Sequence, residues 1–425
     1  MVSLKKVDAA FVREALGNDV PVIDARSNCA YIGWQVDGAV SRGHIPQATD
    51  FSADWLRYLQ EAILSKREKE RRTEMLKTRL AEKSFAPDSP LIIYDSNGED
   101  AAIVASYLKA NGLTELYYFD LNDWDGPLAT CPRYDKLVPP EWVNALIDKR
   151  LPVNKVFSDI KIFECNWGRE SITFMGSHIP GAIHIDTDEF EEAPAWTHVS
   201  TDKLHDFLSL NGIKKDTFTV LYSTGDQGAE YKTAILLAAL GVEHVVVLNG
   251  GYTAWRMKGL PTERGVSVKP NSGTDITPAE MAVDQRLVNL QQAKQILSGE
   301  RDGQLVDIRE WLEYSGQVSG YDYIPKAGRI PGAVYGDSWL AYKNVDDTMR
   351  NLREVQSIWQ KCRIDPERPM AFFCGSAGWG AAMVEYFGNV SGISHLSVFE
   401  GGWCEWQLDE SNPTDTEILE QRWFE

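Results

Sequence analysis

A chain of 425 residues is too long for one hydrophobic core and implies about two to four units of ordinary domain size. Its 43% hydrophobic and 11% aromatic content suits packed globular domains rather than disorder, and its formal charge of −19 argues against a nucleic-acid partner, whose phosphates require Lys and Arg. No apolar run reaches membrane-spanning length, and Met1-Val2-Ser3-Leu4-Lys5-Lys6 is not followed by a signal-type apolar core. No membrane association is expected, and the location is expected to be cytoplasmic, or periplasmic if a leader peptide has been removed.

Taken in order, Pro21-Val22-Ile23-Asp24-Ala25-Arg26 reads as a short strand ending in Asp-x-Arg, and Gly43-His44-Ile45-Pro46-Gln47-Ala48 as a turn. Lys66 to Lys83 carries dense mixed charge, with Glu and Lys or Arg three to four apart, which predicts a solvated helix. Leu91-Ile92-Ile93-Tyr94-Asp95-Ser96-Asn97-Gly98 is an apolar strand running into a loop. Val138-Pro139-Pro140-Glu141-Trp142 then has linker composition.

The same plan returns twice. His178-Ile179-Pro180-Gly181-Ala182 recurs as Arg329-Ile330-Pro331-Gly332-Ala333, and the Gly250-Gly251 turn recurs as Gly401-Gly402. Both pairs share an offset of 151 residues (181 to 332, 250 to 401). That offset carries Cys374 back to Ser223, in Thr219-Val220-Leu221-Tyr222-Ser223-Thr224-Gly225-Asp226-Gln227-Gly228, and the first copy offers Asp95 at the matched place. Gly265-Val266-Ser267-Val268-Lys269-Pro270 has the composition of a second linker.

Apolar strands alternating with helical segments predict an α/β chain of three tandem domains, 1–137, 138–268 and 269–425, each a central parallel sheet flanked by helices.

Chemistry concentrates in the third copy. Met370-Ala371-Phe372-Phe373 runs into Cys374 and then Gly375-Ser376-Ala377-Gly378-Trp379-Gly380 before a helical stretch. A cysteine at a strand's carboxyl end, beside a helix start, is placed where loop N–H groups and the helix dipole favour a nucleophilic thiolate. A small apolar core residue is the competing reading. Gly375 and Gly378 let N–H groups converge into an anion-binding nest, Ser376 offers a donor, and Trp379 an apolar wall. Arg309, in Asp307-Ile308-Arg309, either faces the loop to hold a small anion or pairs with a local carboxylate such as Glu313. Arg329 is a second cation within reach of the site. The six cysteines form no CxxC pair and no Cys/His cluster, so neither a metal nor another cofactor is expected.

Repeated Asp-x-Arg, Ile-Pro-Gly-Ala, a strand ending in a cysteine loop and Gly-Gly-Trp-x-x-Trp resemble the rhodanese-like sulfurtransferase family, over nearly the whole chain as three tandem domains. The resemblance implies that Cys374 attacks a small anionic sulfur donor such as thiosulfate, becomes a persulfide, and passes the sulfur to cyanide or a thiol, with a protein acceptor as a further option. A mercaptopyruvate-type enzyme and a non-catalytic scaffold are the alternatives. It also implies that the first two copies, with Asp95 and Ser223, are inactive. The chain departs from the family in having no basic residue in the loop. Related phosphatases of this fold want Arg at the end of a Cys-x5-Arg pattern, where Gly380 stands, so phosphatase activity is disfavoured.

Overall fold

Short runs such as Leu91–Asp95, Phe218–Tyr222 and Met370–Phe373 are buried at every position, because each is the middle of a parallel sheet covered on both faces. The computed structural model describes residues 4–420 apart from 37, 40, 169–171, 226, 227, 284 and 285. Met1, Val2, Ser3, Asp226 and Gln227, read above as part of the chain start and of the second loop, lie outside the described residues. The described residues divide into two compact units, Met1–Pro139 with Lys343–Asn351, and Pro140–Tyr342 with Leu352–Glu425.

In the first unit five parallel strands lie in the order Lys5–Lys6, Leu116–Asp120, Leu91–Asp95, Val22–Asp24, Thr49–Asp50. The second unit holds two sheets. One contains His244–Leu248, Phe218–Tyr222, Ile160–Asn166 and Ile183–Asp186, side by side and parallel. The other runs Leu287–Val288, Leu396–Phe399, Met370–Phe373, Gln304–Asp307, Val334–Tyr335, again parallel. The order of the first and third sheets is therefore the same, and the repeat read from short motifs is a repeat of topology.

The Asp-x-Arg and Ile-Pro-Gly landmarks hold the fold. Arg26 grips Asp24 with Nε and Nη2 at 2.9 and 2.7 Å and the Gly43 carbonyl at 2.7 Å. Arg309 does the same with Asp307 (3.0 and 2.7 Å) and the Gly328 carbonyl (2.9 Å). The residue before each Ile-Pro forms an antiparallel bridge to a downstream segment: His44 with Ala129, His178 with Glu263, Arg329 with Asp415.

The charged stretch is helical over Lys66–Glu82, as predicted, but it is not simply solvated. Arg72 and Arg79 are buried against residues 343–351 of the same unit. Arg72 donates to the Val345 carbonyl at 2.6 Å and to Asp347 at 2.8 Å, and Arg79 to the Lys343 carbonyl at 3.1 Å. A helix that looks polar all round thus has an inner face made of arginines whose charges are paired.

Candidate active site

Cys374 follows the strand Met370–Phe373, and the helix Trp379–Val390 begins five residues later, capped by Gly378, whose φ of 69° suits glycine. A Cβ at Gly378 would also stand 2.9 Å from the Glu400 Cα, so the loop is pressed against the Gly-Gly turn. That turn closes the loop from below: Trp403 N–H donates to the Cys374 carbonyl at 3.1 Å and Cys404 N–H to the Gly375 carbonyl at 2.8 Å.

The first unit shows what such a loop accommodates. Asp95 occupies the position matched to Cys374, and its carboxylate accepts N–H groups from Asn97 (3.1 Å), Gly98 (2.6 Å) and Ala101 (2.9 Å). The nest is an anion cradle there, already filled by its own side chain. In the third repeat the loop is one residue longer and the sulfur sits in the equivalent place. Burial pushes the Cys374 thiol up and Glu313 adds to this, while the backbone N–H groups of Ala381, Ser376 and Gly378 pull it down. The net direction is upward, which corrects the expectation of a helix-lowered thiol: desolvation outweighs the dipole at this depth.

The other expected site residues are placed as follows. The Ser376 hydroxyl lies 2.6 Å from the Tyr323 hydroxyl. Ala377, at φ 60°, donates its N–H to the Ala195 carbonyl at 3.1 Å. Trp379 opens the helix and its indole donates to Glu191 at 3.3 Å. Gly380 leaves room for Trp339, whose ring would lie 3.2 Å from a Cβ there.

Arg309 is buried and bound to Asp307 as described, with its guanidinium carbon 5.2 Å from the Trp403 ring and, among the described residues, no hydrogen-bond partner at Nη1. Because Arg26 makes the same grip beside Asp95, this pair belongs to the fold before it belongs to any reaction. Arg329 is turned to the chain end, pairing with Asp415 and donating to the Glu417 carbonyl at 2.8 Å, and stacks over Tyr314.

Sequence reasoning missed two groups. One is the antiparallel pair Glu191–Glu192 and Thr197–His198 with its turn, contributed by the second repeat. Besides Ala195 and Glu191, it presents Trp196, whose ring packs edge-on to Tyr323 at 6.2 Å, and the Pro194 carbonyl, 3.4 Å from Cys404 Sγ. It is anchored by the buried Lys232, which reaches Glu191 (2.8 Å), Glu400 (3.3 Å) and the Trp196 carbonyl (2.9 Å), while His198 pairs with Glu400. Burial opposes the Glu400 charge, but Lys232 and His198 hold its carboxyl below the usual range. The repeat that carries Ser223 at the matched position therefore supplies part of the wall around Cys374.

The other is Tyr321, together with Glu313, which the sequence named only as a possible partner for Arg309. The Tyr321 ring stacks on Tyr323 at 5.3 Å and lies 2.6 Å from where a Gly375 Cβ would stand, which explains a glycine there.

The rhodanese-like domain matches the chain over residues 8–123, 140–258 and 289–409. The chain belongs to the rhodanese-like family. Among curated relatives, the thiosulfate sulfurtransferase YnjE of Escherichia coli (strain K12) is 33% identical over 401 residues, covering 93% of this chain and 88% of that protein. The 3-mercaptopyruvate sulfurtransferase of Rattus norvegicus is 25% identical, covering 64% of this chain and 92% of its own. Among solved structures, the anaerobic ergothioneine biosynthesis enzyme from Chlorobium limicola with its natural substrate trimethyl histidine superposes with a TM-score of 0.84 at 29% identity, over 98% of this chain and all of that one. EanB bearing a cysteine persulfide in a tetrahedral intermediate state with ergothioneine gives 0.85 at 28% identity, with the same coverage. The curated relatives named here are thus a thiosulfate sulfurtransferase and a 3-mercaptopyruvate sulfurtransferase. Among the described residues, no helix is long and apolar enough to cross a membrane.

Proposed function

We propose that this rhodanese-like chain is a sulfurtransferase that carries sulfur as a persulfide on Cys374. The observation that carries the reading is the nest: the same loop that cradles the Asp95 carboxylate in the first repeat surrounds Cys374 Sγ in the third, and a persulfide anion needs such a cradle. Cys374 attacks the outer sulfur of a small donor, the donor's remaining half departs, and an acceptor takes the terminal sulfur in a second step. Arg309 supports the negative charge electrostatically from behind rather than gripping the donor, since its fork is occupied by Asp307. Asp95 and Ser223 carry no sulfur. Loading with thiosulfate and, separately, with mercaptopyruvate tests which donor serves; the mass of the intact protein reports it.

A second reading of the acceptor is favoured by the side chains around the loop. Tyr321, Tyr323 and Trp196 are aromatic, Glu313 is acidic, and both arginines expected at the site are already charge-paired. Aromatic faces beside a carboxylate suit a cationic acceptor, and a trimethylammonium group on a histidine-derived molecule, as in the Chlorobium enzyme's substrate, has that chemistry. On this reading Trp196→Ala raises the KM for trimethyl histidine about tenfold while persulfide loading is unchanged. Turnover with cyanide but none with trimethyl histidine would remove the second reading and leave the first.

A further inference from the structure

Glu313 was read from the sequence only as a local partner for Arg309, and it is not that. Arg309 is held by Asp307, and among the described residues Glu313 Oε1 is buried with no hydrogen-bond partner. Its Oε2 accepts only the Glu310 N–H, at 3.3 Å. The free oxygen is directed toward the mouth of the nucleophile loop, 3.7 Å from where a Gly375 Cβ would stand, next to the Tyr321 ring. Gly320 makes the space: a Cβ there would lie 2.0 Å from the same oxygen. An unpartnered carboxylate oxygen beside a nucleophile is expensive to keep buried and calls for a chemical role.

Cys374 supplies the need. Burial pushes its thiol up, which favours the protonated sulfur, and the sulfur must give up that proton to attack. The groups facing Glu313 are Asp307, Arg309 and Glu310 on its own stretch, Tyr321 across the turn, and Cys374 on the loop. Burial pushes the Glu313 carboxyl up to about 7, against the pull of Arg309, which sets it near the working pH of a proton acceptor.

We propose that Glu313 takes the proton of Cys374 when sulfur is loaded and returns it when sulfur leaves, directly or across one water. The inference rests on the persulfide reading. With thiosulfate the step balances: the Cys374 S–H bond breaks and its proton goes to the Glu313 carboxylate. A Cys374 Sγ–S bond forms, the S–S bond of thiosulfate breaks, and sulfite departs with the electron pair. With cyanide as acceptor, carbon takes the terminal sulfur, thiocyanate leaves, and the thiolate regains the proton from the Glu313 carboxylic acid.

Alkylation of Cys374 by iodoacetamide, followed at that peptide by mass spectrometry across pH, tests the proton sharing without any donor. The wild type is expected to react in two pH steps, one near 7 where Glu313 titrates, and Glu313→Gln in a single step. Identical profiles overturn the inference. Loading from thiosulfate at pH 7 is expected to be at least about tenfold slower in Glu313→Gln, although its thiol ionises more readily once the neighbouring charge is gone. An equal or faster rate overturns the base role, since simple charge repulsion predicts a gain. Glu313→Asp, which keeps the carboxylate, is expected to restore part of the rate and to show that a slow Gln variant is not merely misfolded. A wild type that shows both alkylation steps yet loads no sulfur would defeat the persulfide reading while leaving the shared proton in place.

Discussion

Replacing Arg72 by Ala is expected to lower the stability of the first unit by about 3–5 kcal/mol, the range for removing one partner of a buried ion pair. Arg72 donates 2.5 Å to Glu68, 2.6 Å to the Val345 carbonyl and 2.8 Å to Asp347, and lies over the Tyr58 ring at 4.9 Å. Without it, the Val345 carbonyl loses its donor and Asp347 is left with Lys343 at 2.6 Å and the Tyr58 hydroxyl at 3.2 Å. Thermal unfolding should show the first transition lowered by roughly 10 °C for a unit of this size. Arg72→Met, which fills the volume without the charge, should recover little, because Asp347 and the carbonyl remain. An unchanged melting profile for Arg72→Ala would mean that the helix Lys66–Glu82 does not hold residues 343–351.

Gly402→Ala is expected to slow persulfide loading at Cys374 by about a hundredfold while the chain still folds. Gly402 has φ 52°, and an added Cβ would stand 2.3 Å from the Cys374 carbonyl oxygen and 3.4 Å from that of Gly375. Neither obstacle is a flexible side chain. The Gly-Gly turn must back away, loosening the Trp403 and Cys404 N–H bonds that seat the loop. A displacement on the order of an ångström in a nucleophile's frame reduces rate by about that factor. Single-turnover loading measures it, with circular dichroism as the control for folding. Undiminished loading would show that the loop is held from elsewhere.

The three-fold repeat and its sheets were legible because the signals are local: apolar strands, the Ile-Pro turn and the Gly-Gly turn are each fixed within a few residues. The place of Cys374, between a buried strand and a helix start, was legible for the same reason. What escaped depends on contacts distant in the chain or on burial. Arg72 and Val345 are 273 positions apart, so a charged helix with an inner arginine face read as a solvated one. Glu191–His198 lacks the apolar alternation that announces a strand pair, and its importance lies in what it touches. Arg309 was read either as facing the loop to hold a small anion or as pairing with a local carboxylate such as Glu313; the carboxylate it pairs with is Asp307, two residues before it. Glu313 shows no sequence signal beyond its charge, because the missing partner at Oε1 is a property of packing alone. The upward direction of the Cys374 thiol was missed similarly, since a helix start can be read from a loop and the depth of burial cannot.

The central claim is that Cys374 is the sulfur carrier, and intact-protein mass after incubation with thiosulfate, or with mercaptopyruvate, tests it most directly. The wild type is expected to gain the mass of one sulfur atom and to lose it again on treatment with cyanide, while Cys374→Ser gains nothing. A cyanide-labile sulfur that persists in Cys374→Ser, or a wild type that takes up none from either donor, would contradict the account.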